Sequence, residues 1–312
     1  MNNRADISAQ ADRQQVGGTR ALLQAHTAFL CDVLPLGRRT RIMDIGANPT
    51  NRPPYADLAE NDAAEVHGFE PGEKPFARLD AQKGDSEVYY PFAVGAGGDG
   101  TFHNCRNETF SSLFAPDVGQ IKALGHWEKA LTVVGTTSVT TLRLDDVDDM
   151  VRPDMLKMDT QGAELAILEG GTKTLADTVV VMPELRFFRL YEGEPMLGRV
   201  DQQLRDMGFM FHKLLPATSL RLMSSRIERL RPGPTRNQMI DADAIYIRDI
   251  AKPDAMTDQQ IAHLALLADS VFGSFDLVLR CLDLLTERGE YSAELIDTYI
   301  DKLPDKFRVA ED

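Results

Sequence analysis

Short apolar runs alternate with helix-like patterns along most of this chain, and the alternation ends near residue 250. Buried parallel strands read as almost continuous hydrophobic runs, whereas amphipathic helices repeat apolar residues every three or four positions. The repeated order of these two patterns predicts a doubly wound, largely parallel α/β sheet. The predicted strands are 41–45, 65–69, 86–94, 101–105, 133–144, 154–159, 178–182, 209–215 and 242–248.

Helical patterns also flank the predicted sheet at both ends. Residues 22–34 form an amphipathic pattern before the first strand, and further helical patterns follow Pro253. The chain therefore divides into three regions. These are an N-terminal tail and helix (1–40), an α/β domain (41–250) and a C-terminal all-α extension (251–312).

The C-terminal helices, predicted over 257–271, 276–288 and 291–303, carry apolar stripes. Soluble proteins rarely leave such stripes exposed. We therefore expect these helices to pack on the α/β domain, to form a homo-oligomer interface or to act as a lid. Residues 1–17 are polar and show no periodicity, which predicts a disordered or loosely attached tail.

The candidate ligand site follows the first two predicted strands. The first ends in Asp44, Gly46 and Asn48, and the second ends in Glu70 and Pro71. Ligands of open α/β sheets bind beyond the carboxyl ends of the strands, and glycine there permits a sharp turn and a close approach. Glu70 lies 24 positions after Gly46. An acid at about this distance is placed to bind ribose hydroxyls, which indicates a nucleoside-containing cofactor.

The glycine turn favours a ligand that contains ribose but no pyrophosphate. Dinucleotide sites use three glycines and a helix N-terminus, whereas here only Gly46 is present. The prolines at 49, 53 and 54 supply no backbone N–H to a phosphate. S-adenosylmethionine meets this description better than NAD. The plain alternative for the first motif is a strand-to-loop turn with a buried aspartate.

Composition narrows the expected partners and compartment. The formal net charge of −14 argues against a nucleic-acid substrate. No apolar run approaches the ~18 residues of a membrane span, and the polar start lacks a signal peptide. Cys31, Cys105 and Cys281 are too scattered to indicate a disulfide framework or a zinc cluster. A cytoplasmic protein without a membrane partner is expected.

Several motifs occur in a characteristic order: 44–48, 68–71, 111–113, 142–146, 156–164 and 168–171, then Glu184 and Tyr191. In this order they resemble the FkbM-type methyltransferase family, over roughly residues 40–250. The resemblance implies a Rossmann-like class I methyltransferase fold and methyl transfer from S-adenosylmethionine to a hydroxyl oxygen. Two features depart from the family: Thr50 replaces a usual glycine, and the helical extension lies outside the common domain.

The resemblance also assigns cofactor-binding residues. These are Asp44, Gly46, Asn48, Glu70, Pro71, Ser112 and Gln161. A purely structural alternative exists for several of them. Glu70 could cap a neighbouring backbone, and the serines at 111 and 112 could form a turn. For Glu164 we favour the structural interpretation, in which its charge stabilises the start of a helix.

The expected reaction requires a positioned hydroxyl and a group that accepts its proton. His103 and Asp159 are the catalytic candidates, since histidine titrates near neutral pH and Asp159 ends the central strand. His126, Glu184 and His212 form a wider set.

No metal is expected, because no third carboxylate is apparent beside Asp159 and Glu184. The resemblance further implies that the acceptor is a sugar, a glycan or a hydroxylated natural product. A catalytically inactive cofactor-binding or interaction subunit is the main alternative, and an NAD-dependent oxidoreductase is the weaker one.

Overall fold

The structure, a computed structural model, describes residues 23–49, 52–289 and 291–309. The predicted tail, residues 1–17, lies outside the described residues, as does Thr50. The strands are β1 (Thr40–Ile45), β2 (Ala64–Phe69), β3 (Glu87–Tyr90), β4 (Ala93–Val94), β5 (Gly98–Cys105), β6 (Val133–Leu142), β7 (Met155–Met158), β8 (Val180–Arg186), β9 (Phe209–Leu214), β10 (Thr218–Leu220) and β11 (Gln238–Arg248). The helices are α1 (Ala25–Val33), α2 (Ala56–Glu60), α3 (Glu73–Gln82), α4 (Val118–Leu124), α5 (Glu164–Gly170), α6 (Leu197–Asp206), α7 (Asp258–Ser270), α8 (Phe275–Glu287) and α9 (Glu294–Lys302).

The main sheet confirms the predicted doubly wound α/β fold. Its strand order is β10-β11-β8-β7-β1-β2-β3, with β9 paired to β11. The strands from β3 to β8 in this order are parallel, whereas β11 runs antiparallel to β8, β9 and β10. The carboxyl ends of β1, β2, β7 and β8 therefore share one edge of the sheet, which we call the carboxyl edge.

Two predicted elements near the middle of the chain were wrong. The predicted strand 86–94 divides at Pro91, whose missing N–H interrupts pairing: β3 joins the main sheet and β4 pairs with β6. β4, β6 and β5 form a second, three-stranded sheet. The stretch between the predicted strands 209–215 and 242–248 contains β10, which pairs with β11, and β11 begins at Gln238, earlier than the predicted residue 242.

Helices cover both faces of the main sheet. Alternate residues of a strand point to opposite faces. Accordingly, Ile42 packs with apolar residues of α1, α2, α7 and α8, while Met43 packs with those of α5 and α6. The C-terminal helices thus complete one side of the core. Within the described part of the chain, no helix combines the length and the apolar character that crossing a membrane requires.

Polar contacts also attach the C-terminal helices to the N-terminal helix. The Asp269 carboxylate accepts hydrogen bonds from the Tyr299 hydroxyl at 2.6 Å, and its Oδ1 lies 2.7 Å from His26 Nδ1. Thr40, at the amino end of β1, is hydrogen bonded to His263 at 3.0 Å. The apolar stripes that suggested an interface or a lid are therefore buried within the chain, and α7 contacts the edge opposite the carboxyl edge. A homo-oligomer stays a prediction.

Candidate active site

The turn after β1 has room for backbone but not for a side chain. Gly46 has a φ of +84°, and a Cβ there would lie 2.2 Å from the Asp159 carbonyl oxygen. The N–H groups of Gly46 and Ala47 donate to the Phe69 carbonyl at 3.0 and 3.1 Å. The chain segments that leave β1, β2 and β7 are thus held together at the carboxyl edge.

Asp44 lies beneath this turn, and a lysine of the protein pairs with its carboxylate. It is buried, and it accepts hydrogen bonds from the Tyr55 hydroxyl at 2.6 Å and from Lys157 Nζ at 3.0 Å. Burial alone would lower the pKa of Lys157, but the charges of Asp44 and Asp159 outweigh it and raise that pKa above its ordinary value. Its carboxylate is thus used inside the protein, and a direct role of Asp44 toward the cofactor stays a prediction.

Glu70 has one carboxylate oxygen in use and one without a hydrogen bond in the described part of the chain. Oε1 accepts the Gly72 N–H at 2.7 Å, and burial raises the pKa of the carboxyl. Pro71 beside it is exposed, and Asn48 is partly exposed after β1. The capping and ribose-binding interpretations of Glu70 are therefore compatible. A buried carboxylate with an unused oxygen beside the Gly46 turn fits a ribose-containing cofactor.

Gln161 organises the next part of the edge. It follows β7 with a left-handed φ of +55°. Its Nε2 donates to Asp159 Oδ1 at 3.0 Å and to Glu184 Oε2 at 2.9 Å. Its Oε1 accepts from Arg186 Nη2 at 3.1 Å and from the Tyr191 hydroxyl at 2.9 Å. Both ends of the amide are thus used inside the protein, and a direct role toward the cofactor stays a prediction.

Ser112 brings the second sheet to the same turn. Its hydroxyl donates to the Gln161 carbonyl at 2.6 Å and accepts the Phe114 N–H at 3.0 Å. His103 pairs with Ser112 through two backbone hydrogen bonds of 2.8 and 3.2 Å. Its Nδ1 is buried and has no partner among the described residues. Asp159, the other catalytic candidate, is exposed at the carboxyl edge.

Glu164 has a structural role, but it acts through hydrogen bonds to the turn before α5, and the predicted effect of its charge on the helix start stays a prediction. In the first turn of α5 it accepts three hydrogen bonds from the preceding segment: the Thr160 N–H at 3.0 Å, the Thr160 hydroxyl at 2.9 Å and the Gly162 N–H at 3.0 Å. The carboxylate therefore fixes the shape of the turn that carries Gln161.

Sequence reasoning missed the residues that surround Glu184. Buried Arg186 pairs with Glu184 at 2.7 Å, with Asp241 at 2.7 Å and with Glu194 at 3.4 Å. Burial raises the pKa of Glu184 well above its ordinary value, although Arg186 opposes this. Glu184 lies inside β8 and not after it. The acidic residues at alternate positions of one strand, Asp241 and Asp243, could have indicated this group of charges in the sequence.

A third carboxylate does lie beside Glu184. Asp243 of β11 is its direct partner in the antiparallel register. The expectation of only two carboxylates was therefore wrong. No group of three His, Cys, Asp or Glu side chains within 23–49, 52–289 and 291–309 is arranged to hold a metal ion. Metal independence stays a prediction.

Solved methyltransferase structures resemble this fold at low sequence identity. Magnesium protoporphyrin IX methyltransferase from Synechocystis PCC 6803, solved with bound SAM, is 12% identical, with 72% of this chain and 76% of that chain covered and a TM-score of 0.36. The 1,6-didemethyltoxoflavin-N1-methyltransferase from Burkholderia thailandensis is 13% identical, with 72% and 80% covered and a TM-score of 0.33. Similarity at this level carries no conclusion about what this chain does.

The sequence comparisons are more specific about family. A comparison with curated proteins finds no match. Residues 44–211 match the family model described as the Methyltransferase FkbM domain. The matched range is more than half of the 312 residues. The matched range starts at Asp44 and contains the glycine turn, Glu70, Ser112 and Gln161. The chain therefore belongs to the FkbM methyltransferase family and is an S-adenosylmethionine-dependent methyltransferase.

Proposed function

We propose that this enzyme methylates a hydroxyl oxygen of a sugar, a glycan or another hydroxylated natural product. The supporting observation is the exposed Asp159 carboxylate, held by Gln161 next to the Gly46 turn. An aliphatic hydroxyl is a poor nucleophile, so its methylation requires a nearby group that accepts a proton. The net charge of −14 supports a small-molecule or glycan acceptor over a nucleic acid. We further propose that the enzyme acts in the cytoplasm.

Different residues at the carboxyl edge bind the cofactor and the acceptor in this proposal. When bound, S-adenosylmethionine supplies an electrophilic methyl group. In this proposal the free Glu70 oxygen accepts hydrogen bonds from the ribose hydroxyls, and the Gly46 turn lets the segment after β7 pack closely against the end of β1. Asp159 and His103 are the candidates named from the sequence to orient or deprotonate the acceptor, and Gln161 holds Asp159 in place.

Calorimetry on Glu70→Ala tests the cofactor placement. The loss of charge-assisted hydrogen bonds should weaken S-adenosylmethionine binding by about 2–4 kcal/mol. Glu65→Ala is the matched control, since Glu65 lies on the same strand but pairs with Arg41 at 2.6 Å. Unchanged affinity in Glu70→Ala would place the cofactor elsewhere. Measurable binding of NAD by the wild type would revive the oxidoreductase alternative.

Product analysis tests the acceptor class. Isotopically labelled methyl groups should appear as O-methyl groups on members of a panel of methyl glycosides. Products methylated only on nitrogen or carbon would contradict the proposal. If the protein binds S-adenosylmethionine but methylates no member of the panel, the alternative of a catalytically inactive cofactor-binding subunit is favoured.

A further inference from the structure

Three carboxylates form a row along the carboxyl edge, and we call Asp159, Glu184 and Asp243 the acidic row. Asp243 lies directly opposite Glu184 in the register of β11 and β8. Asp159 follows Met158, which pairs with Pro183 just before Glu184. Residues paired across neighbouring strands project from the same face of a sheet. Strand spacing of about 4.8 Å places Asp243 two strands, or roughly 10 Å along the edge, from the backbone at Asp159.

Asp243 differs from the other members of the row because its carboxylate has no assigned partner. Asp159 accepts a hydrogen bond from Gln161, and Glu184 accepts from both Gln161 and Arg186. In contrast, no hydrogen bond or close ion pair engages the Asp243 side chain in residues 23–49, 52–289 and 291–309, although the charge of Lys157 acts on it. This carboxylate can therefore bind a new donor without breaking an existing contact.

The surroundings of Asp243 also suit proton transfer near neutral pH. Burial, and next the charge of Asp159, raise the pKa of Asp243 to about 6, while Lys157 opposes the shift. The Asp241 and Asp44 carboxylates raise it further. A general base works best when its pKa lies close to the operating pH, because it is then both ionised and able to hold a proton.

We propose that Asp243 is the general base of this enzyme and takes the proton of the acceptor hydroxyl. This inference rests on the proposed O-methyl transfer. As the new oxygen–carbon bond forms, the sulfur keeps the electron pair of the broken sulfur–carbon bond, and the hydroxyl proton passes to an Asp243 oxygen. The products are a methyl ether and S-adenosylhomocysteine, and solvent then removes the proton from the carboxyl. Of the two roles named above for Asp159, orienting the acceptor remains, and Asp159 lies at the end of the row nearest the Gly46 turn.

Single-turnover kinetics give the first test. Labelled methyl transfer from S-adenosylmethionine to the methyl glycoside panel is measured over roughly pH 5 to 9 for wild type, Asp243→Asn and Asp249→Asn. In the wild type the rate should rise with pH through about 6 and then level off. Asp243→Asn should bind S-adenosylmethionine as the wild type does, lose roughly 10²–10⁴-fold in rate and lose this rise. Asp249 follows β11 at the opposite edge, so Asp249→Asn is the matched control.

Direct titration gives a test that needs no acceptor. Carbon-13 spectra of aspartate carboxyls should show one group that titrates at about 6 in the wild type and in Asp249→Asn, but not in Asp243→Asn. Absence of such a group in the wild type, or its persistence in Asp243→Asn, would overturn the assignment.

The kinetic outcomes also separate this inference from the proposed function. A wild-type enzyme that makes O-methyl products while Asp243→Asn keeps its rate refutes the base and leaves the function standing. A wild-type enzyme that methylates no hydroxyl refutes the function, and the base assignment with it.

Discussion

Ser112 and Gln161 are joined across 49 positions of sequence by a hydrogen bond of 2.6 Å from the serine hydroxyl to the glutamine carbonyl. This bond connects the segment after β5 with the turn after β7, so the second sheet helps to position the carboxyl edge. His103 is part of the same connection, because its backbone pairs with Ser112.

Ser112→Ala should destabilise the protein by about 1–3 kcal/mol, because it leaves a carbonyl and the Phe114 N–H without their shared partner. Ser111→Ala is the control, since within the part of the chain that the structure describes the Ser111 hydroxyl accepts one hydrogen bond, from the Cys105 N–H at 3.0 Å. Urea unfolding of both variants gives the comparison. Equal losses would show that the connection contributes no more than an ordinary turn.

Gly46→Ala should cost more than the conformational penalty of a left-handed alanine. Gly98 provides the matched case, because its φ is +85° and a Cβ there would meet nothing within 4 Å. Gly98→Ala should cost about 1–2 kcal/mol. Gly46→Ala should cost roughly 3–5 kcal/mol and weaken cofactor binding, because the new Cβ would overlap the Asp159 carbonyl. Thermal or urea unfolding that ranks the two variants equally would contradict this explanation.

Asp243→Asn should stabilise the enzyme at neutral pH while it removes activity. The folded-state pKa of about 6 lies above the ordinary value of 3.8, so the folded state retains its proton longer as pH rises. The wild type therefore loses stability between about pH 4 and 6, and the loss is complete above that range. The variant should gain about 1–3 kcal/mol at pH 8, and this gain should vanish below about pH 4. A gain that is independent of pH would indicate a cause other than titration.

His263 should make the attachment of α7 sensitive to acid. Its ring is fully buried, and burial lowers its pKa from 6.5 to about 4, although Asp154 opposes the shift. As pH falls below 6.5 the unfolded chain binds the proton first, so stability is lost between pH 6.5 and about 4. His263→Gln should flatten this decline by roughly 2–3 kcal/mol. The free energies of unfolding of the wild type and of His263→Gln, measured at several pH values, check this prediction. An equally steep decline in the variant would show that other groups cause the loss of stability.

The parts of the fold that depend on local pattern could be predicted from the sequence. The apolar runs of β1, β2 and β7, the Gly46 turn and Glu70 are each visible within a few residues, and the family match covers them. The acidic row could not be predicted as a whole, because Asp243 faces Glu184 only through the antiparallel register of β11. Register depends on tertiary pairing, which short sequence patterns do not encode.

The network around Gln161 illustrates a second kind of limit. The sequence marked Gln161 as a ligand-binding candidate, yet the structure uses its amide to hold Asp159, Glu184, Arg186 and Tyr191. A residue that binds a ligand and a residue that organises its neighbours have the same sequence signature. Similarly, the division of 86–94 into two strands depends on which sheet each half joins.

The contact between the two ends of the chain has a consequence for biosynthesis. The Tyr291 hydroxyl binds the Val33 carbonyl at 2.7 Å across 258 positions, and α7 and α8 cover the sheet face that contains Ile42 and Met182. A ribosome synthesises α7 and α8 after all the strands of the sheet, so that apolar face stays uncovered until these two helices are made. Contacts so distant in sequence form slowly, and exposed apolar surface invites aggregation. We expect the nascent polypeptide to need chaperone protection until α7 and α8 emerge.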